Sequence, residues 1–306
     1  MEWTTNDILA ATAGRLLSGS SDTAFTGIGI DSRQLMPGSL FIAIEGDTHD
    51  GHTFAPEVVA LGGRGVVVRE GRTSDTTLAI FQDRQVVCIT VPDTTRALGD
   101  IAAYHRRRMP ARIVALTGSN GKTTTRAMTA AILNHKGATL ATQGNLNNEI
   151  GLPLTLLQLT EAHTLAVVEM GMNHPGEIDR LGQIAAPDIG MIINVAPAHL
   201  EGLHSIEGVM HAKGELLRHI APAGRAILNA DDEYCRRLAE TCPVETLLFG
   251  FGPEAAIRAA DLDSGPRGWA FTLQMPSGEI PVKLQVPGKF MVANALAAAA
   301  AAYCCD

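Results

Sequence analysis

The chain contains no apolar run approaching the ~20 residues of a membrane-spanning helix, so a soluble protein is expected. It has no excess of positive charge: 24 Lys and Arg stand against 32 Asp and Glu, a net charge of −8. Without a basic footprint, bulk binding to nucleic acid is excluded. An anionic substrate would have to be held by local lysines and loops rather than by the overall field. Cysteine is scarce. The five residues Cys88, Cys235, Cys242, Cys304 and Cys305 are odd in number and form no Cys-x-x-Cys pair. That argues against structural zinc and against a disulfide framework, and it fits a reducing compartment. The amino-terminal string Met1 to Asp7 is polar and acidic and lacks the apolar core of a signal peptide, so a cytoplasmic location is expected. What is present is ample apolar material: 46% of 306 residues is enough for two domains with cores.

The most informative stretch is Val114 to Thr125. An apolar run from Ile113 to Leu116 leads into Thr117, Gly118, Ser119, Asn120, Gly121, Lys122, Thr123 and Thr124, and a helix-compatible stretch continues to His135. This is the strand–loop–helix context of a phosphate-binding loop. Glycines allow backbone N–H groups to approach phosphate oxygens closely, and the following helix adds the positive end of its dipole. Lys122 is placed to reach the outer phosphates and the Thr123 hydroxyl to ligate Mg²⁺. The common pattern would have a further glycine at 116, where Leu stands, so the loop is a variant.

Along the chain, residues 1–84 read as a small α/β domain and 85–306 as a larger one. In the first, Thr5 or Asn6 caps a helix to about Leu17. Strands fall near 27–30, 40–44 and 65–68, a helix near 54–61, and an irregular boundary at 72–85. Val86–Val91 and the helix after it, to about Arg108, are placed in the second. From Ile113 apolar strands alternate with stretches of helical length, at 113–116, 139–141, 165–169, 189–195, 226–228 and 246–249. The fold class is therefore α/β with a largely parallel sheet. Residues 256–286 read as a small antiparallel meander turning near Gly265 and Gly278, and 294–303 as an alanine-rich helix.

Several polar residues fall at strand ends, where open α/β sheets bind ligands. Glu169 closes an apolar strand and can share Mg²⁺ with Thr123; an ordinary strand-end acid is the alternative. His199 follows another strand end, as a ligand or as a hydrogen-bonded loop residue. Lys213 lies in a helical stretch, where a surface lysine is the plain reading. In a low-dielectric site it could lose its proton and take up CO₂ as a carbamate, an anionic oxygen ligand. Asn145, Asn147 and Asn148 form an amide-dense loop suited to gripping a sugar or peptide, or simply a connector. Asp31, Ser32 and Arg33, and the loop from Gly46 through Asp50 to His52, either bind a nucleotide or join strands.

Taken together these strings resemble the Mur ligases, the ATP-dependent amide-forming enzymes of peptidoglycan assembly. The resemblance is carried by Asp31-Ser32-Arg33, Asp50-Gly51-His52, the loop from Thr117 to Thr124, Asn147-Asn148-Glu149-Ile150-Gly151, Glu169 to Ile178, Ala198-His199-Leu200-Glu201, Ala212-Lys213-Gly214-Glu215 and Asn229-Ala230-Asp231-Asp232. It spans nearly the whole chain. It implies a UDP-sugar-binding first domain and a central ATP-binding domain, working as a monomer. Gly118 to Thr124 would hold ATP. Two Mg²⁺ ions would sit on Thr123, Glu169, His199 and a carbamylated Lys213. Asn294 would lie beside the adenine, Asp31 to Arg33 with Gly46, Asp50 and His52 at the uridine nucleotide, and Asn145 to Asn148 at the muramoyl-peptide. The strings around Asn147 and Glu169 point to the member that joins D-alanyl-D-alanine to UDP-N-acetylmuramoyl-tripeptide through an acyl phosphate. A sibling adding another amino acid, or a nucleotide-binding module without ligation, are the alternatives. Two departures stand out. Phe290-Met291 replaces a family His-Asn, and the family's carboxy-terminal domain is not in this sequence, without which the chain is expected to be inactive.

Overall fold

The computed structural model describes every residue except Met1 and Asp47, together with every side chain of the described residues except that of Leu200. The chain forms two compact units, Met1–Arg108 and Met109–Asp306.

In the first unit five strands run in the order Arg15–Ser18, Val87–Val91, Gly65–Arg69, Leu40–Ile42, Ile28–Gly29. The first pair is antiparallel and the others are parallel. Phe41, Val66, Val68 and Cys88 pack with Val58, Val59 and Phe81 into a core. The division expected after residue 84 falls inside this unit. Val87–Val91 is a central strand of its sheet. The following helix, Thr94–Arg108, is tied to the first helix, Thr5–Thr12: Tyr104 Oη and Arg108 Nη1 donate to Asp7 Oδ1 at 3.1 and 3.0 Å. The stretch expected to be irregular holds the helix Asp75–Asp83, capped by Ser74 Oγ, which accepts from Thr77 N, and anchored by a fully buried Phe81. The first helix stops at Thr12 rather than near Leu17. Ala13 turns left-handed (φ 53°), and the chain then passes so close to the sheet that a Cβ on Gly14 would lie 2.7 Å from Ile89.

The second unit is built on one nine-stranded sheet. Its order is Gly278–Leu284, Gly268–Met275, Ile257–Gly265, Glu245–Gly250, Arg225–Asn229, Ile189–Ile192, Arg112–Thr117, Leu165–Glu169, Thr139–Ala141. The strands from Ile257–Gly265 to Thr139–Ala141 are mutually parallel, and the two at the other edge are antiparallel. The expected meander is present, but it extends the main sheet, because Phe249 pairs with Ile257 and Gly250 with Arg258. On one face Val114, Leu116, Val167, Met191, Ile227 and Phe249 pack with Val292, Leu296, Ala297 and Ala300. Those residues belong to the helix Lys289–Cys304, whose small alanines let it lie close to the sheet. On the other face Gly190 leaves room for Ile220 and Leu216. Both faces being covered, the central strands are apolar runs rather than alternating ones. Among the described residues no helix is long and apolar enough to cross a membrane.

From Arg112–Thr117 the chain moves to one side of that strand, through Thr139–Ala141 and Leu165–Glu169. It then crosses to the other side at Ile189–Ile192. The reversal opens a crevice at the carboxyl end of Arg112–Thr117, the place where such sheets bind ligands.

Candidate active site

The loop after Thr117 fills that crevice, and the helix Lys122–Leu133 starts from it. Gly121 is the N-cap, in a left-handed conformation (φ 81°). A Cβ there would stand 2.7 Å from Asn294 Oδ1. Only glycine fits both the dihedral and the space. Leu116, where the common pattern has glycine, is still strand: it is fully buried and pairs with Glu169, so the loop opens one residue later.

Asn194 fixes the loop's shape. Its Oδ1 accepts from Ser119 N (3.0 Å) and Asn120 N (2.9 Å), and its Nδ2 donates to Asn120 O (3.0 Å). Ser119 Oγ in turn donates to Ala196 O and accepts from Ala196 N, both at 2.9 Å. Sequence reasoning passed over Asn194; the available signal was a polar residue directly after the apolar Met191-Ile192-Ile193. The Asn229–Asp232 string is a brace behind it. Asn229 Nδ2 donates to Ile193 O (3.0 Å) and Asp232 Oδ2 accepts from Val195 N (2.8 Å).

A single cavity of about 510 Å³ collects most of the predicted residues. The loop from Gly118 to Thr124 forms one wall, and Asn145, Asn147 and Asn148 another. Glu169, His199 and Lys213 complete it. Glu169 is 1% exposed at its strand end, and its Oε2 accepts from the Thr123 hydroxyl at 3.2 Å. A hydroxyl and a carboxylate oxygen meeting beside a phosphate loop are the hard oxygen donors that Mg²⁺ prefers, so this pair fits one ion. Arg126, which sequence reasoning did not single out, donates to the same oxygen at 3.2 Å.

Lys122 Nζ donates to Gly118 O at 2.9 Å, and burial pulls its pKa below the usual lysine value, against the opposing charge of Glu169. Lys213, in the helix Ile206–Gly214, is 2% exposed. Among the described residues its Nζ has no hydrogen-bond partner. Burial, and then the charge of Lys122, bring its pKa down to about 7. Burial thus favours the neutral amine, which is the form that reacts with CO₂. His199 is an exposed residue with a left-handed backbone (φ 52°). Among the described residues no cluster of three or more His, Cys, Asp or Glu forms a ready-made metal site.

Asn294 is buried behind Gly121 rather than in the cavity lining. In the first unit, Asp31 and Arg33 form a bidentate pair at 2.9 Å for both bonds, and that hydrogen bonding holds the Asp31 carboxyl well below the usual range. Ser32 lies between them in the same turn. His52 Nε2 accepts from Arg69 N (2.9 Å), so the ring proton sits on Nδ1 and is donated to Asp50 Oδ1 (2.6 Å). Asp50 also pairs with Arg72, and Gly46 N donates to His49 O. The polar atoms of His52 and Asp50 are therefore engaged with each other and with Arg69 and Arg72, at and just after the end of the strand Gly65–Arg69.

A nucleotide-type loop at the reversal of a parallel sheet, facing a buried acid and a buried lysine, defines a P-loop ATPase-like domain. Two family models match: the Mur ligase middle domain over residues 116–302 and the Mur ligase family catalytic domain over 24–106. The chain belongs to the Mur ligase family. It is 41% identical, over 92% of its length, to UDP-N-acetylmuramoyl-tripeptide–D-alanyl-D-alanine ligase of Escherichia coli (strain K12) and covers 60% of that protein. A crystal structure of MurF from Acinetobacter baumannii superposes with a TM-score of 0.91 at 35% identity, over all of this chain and 65% of that one. MurF ligase from Thermotoga maritima in complex with ADP does so with 0.80 at 27% identity, over 90% of this chain and 62% of that one. The chain thus spans under two thirds of the length of these relatives.

Proposed function

We propose that the chain carries the donor-activating part of an ATP-dependent ligase that joins D-alanyl-D-alanine to UDP-N-acetylmuramoyl-tripeptide. The observation that supports this reading most is the convergence of Lys122, Thr123, Glu169 and Lys213 on one cavity shared with the Asn145–Asn148 loop. The relative from Escherichia coli carries that activity in its name, and the MurF ligase from Thermotoga maritima was solved in complex with ADP.

The chemistry follows from the poor reactivity of a carboxylate, whose leaving group would be oxide. The tripeptide carboxylate attacks the γ-phosphorus of ATP, ADP departs, and an acyl phosphate results. The amine of D-alanyl-D-alanine then attacks the acyl carbon, loses a proton, and inorganic phosphate leaves. Two anions must meet in the first step. Gly118 to Thr124 cradle the phosphates through backbone N–H groups, and Lys122 spreads positive charge along them. Thr123 and Glu169 would hold one Mg²⁺, and a carbamylated Lys213 with His199 would hold a second. These ions supply charge neutralisation at the phosphoryl group. Asn145, Asn147 and Asn148 orient the peptide end of the donor, and Asn294 keeps the loop in place from behind. The first unit, through the Asp31–Arg33 and Gly46–His52 loops, takes the uridine nucleotide. The reading carries with it a monomeric protein of the cytoplasm, where the nucleotide-linked precursor is made.

The test is a ligation assay of the intact enzyme with ATP, Mg²⁺, UDP-N-acetylmuramoyl-tripeptide and D-alanyl-D-alanine, following phosphate release and the mass of the product. Product with the mass of the pentapeptide supports the assignment. Phosphate release that requires another amino acid in place of the dipeptide favours a sibling ligase.

A further inference from the structure

One largely buried cation, in contact with the cavity-lining Glu169, has no part in the chemistry above. Arg126 lies in the second turn of the helix Lys122–Leu133, and its side chain is 11% exposed. Its Nη1 donates to oxygens of two different segments: Glu169 Oε2 at 3.2 Å and Gly144 O at 2.9 Å. Thr123, three residues earlier and so on the same helix face, donates to the same Glu169 oxygen. The other carboxylate oxygen accepts from Asn147 Nδ2 at 2.9 Å, which also reaches Asn145 Oδ1 at 2.9 Å.

The Gly144 turn is closed by Leu146 N, which donates to Gln143 O at 3.2 Å, and the loop beyond it is tied to Glu169 through Asn147. Gly144 is left-handed (φ 53°), exposed, and a Cβ there would meet nothing within 4 Å. Its carbonyl is fixed by Arg126. An exposed ion pair would be weak, but here the acid is buried, the guanidinium is only 11% exposed and it is shared with a carbonyl, so the pair holds geometry.

We propose that Arg126 is a positioning residue that couples the Glu169 carboxylate to the Gly144–Asn148 loop, so that filling the phosphate side of the cavity orders the loop on the substrate side. The proposal rests on the reading of this cavity as a magnesium–nucleotide site. Coupling of this kind is reciprocal: nucleotide steadies the loop, and a loop occupant tightens nucleotide. Arg126→Lys keeps the charge and one donor. Arg126→Met removes both, and Arg126→Gln cannot span the two oxygens with charge.

The experiment is amide hydrogen exchange over residues 143–149, with and without saturating MgADP, in the wild-type chain and the three variants. Thermal melting identifies which variants fold, and calorimetry confirms MgADP binding. In the wild type MgADP slows exchange of the loop by about tenfold, a coupling of ordinary size. In Arg126→Met, or in Arg126→Gln should the Met variant not fold, the slowing falls to near onefold while MgADP still binds. Arg126→Lys restores most of it. Equal slowing in wild type and in the Met or Gln variant would overturn the coupling alone. Failure of the wild type to bind MgADP would overturn the nucleotide reading and the coupling with it.

Discussion

Lys213 and Lys122 bring two amines to one cavity, and the charge of Lys122 adds to burial in lowering the Lys213 pKa to about 7. The ordinary lysine value is 10.5. Between these two values the unfolded chain binds one more proton than the folded one at this position. Its contribution to stability therefore rises with pH from about 7 to about 10.5 and is least favourable below pH 7. Chemical unfolding of the wild type and Lys213→Met, followed from pH 6 to pH 10, checks this. The variant is expected to be more stable at pH 6 to 7. The difference should shrink toward high pH with a slope approaching ~1.4 kcal/mol per pH unit, before any discount for partial solvation. Parallel pH profiles would contradict the burial of a titrating amine.

If the neutral form of Lys213 is captured as a carbamate, then removing it takes away a ligand that a small molecule can replace. In the intact enzyme Lys213→Ala is expected to lose at least about a hundredfold in turnover, a typical loss for one charge-stabilising group. Acetate or formate at high concentration should restore part of it. Lys122→Ala should lose as much and should not respond to carboxylic acids. Steady-state phosphate release measures both. Near-normal turnover in Lys213→Ala would sink the carbamate.

Gly121 sets the start of the helix Lys122–Leu133, with Asn294 pressed against it. Gly121→Ala forces a side chain into a left-handed backbone, at a cost of roughly 1–2 kcal/mol, and into contact with Asn294. Denaturant unfolding should show a loss of about 2 kcal/mol or more. Asn294→Ala in the same background should recover the steric part but not the dihedral part. Strict additivity of the two substitutions would contradict the contact.

The sequence carried the parts of the site that depend on local pattern. The phosphate loop was legible because an apolar strand, glycines, lysine and a helix follow one another without interruption. Glu169 was legible because it ends an apolar strand. Asn194 and Arg126 were not, because each acts only on segments distant in sequence: Asn194 on Ser119 and Asn120, Arg126 on Gly144 and Glu169. The helix Asp75–Asp83 was missed because it buries little beyond Phe81, leaving almost no periodicity to read. Ser74 ahead of Thr77 was the signal it offered. The unit boundary was misplaced for a related reason. Which sheet Val87–Val91 joins is decided by its neighbours Gly65–Arg69 and Arg15–Ser18, not by its own residues.

On the proposed function, these two units bind the tripeptide-bearing donor. Calorimetric titration of the chain with UDP-N-acetylmuramoyl-tripeptide, with the UDP-N-acetylmuramoyl-dipeptide as control, tests it most directly. Tighter binding of the tripeptide is expected, by about tenfold for each well-placed contact to the third residue. Equal affinity for the two ligands would contradict it.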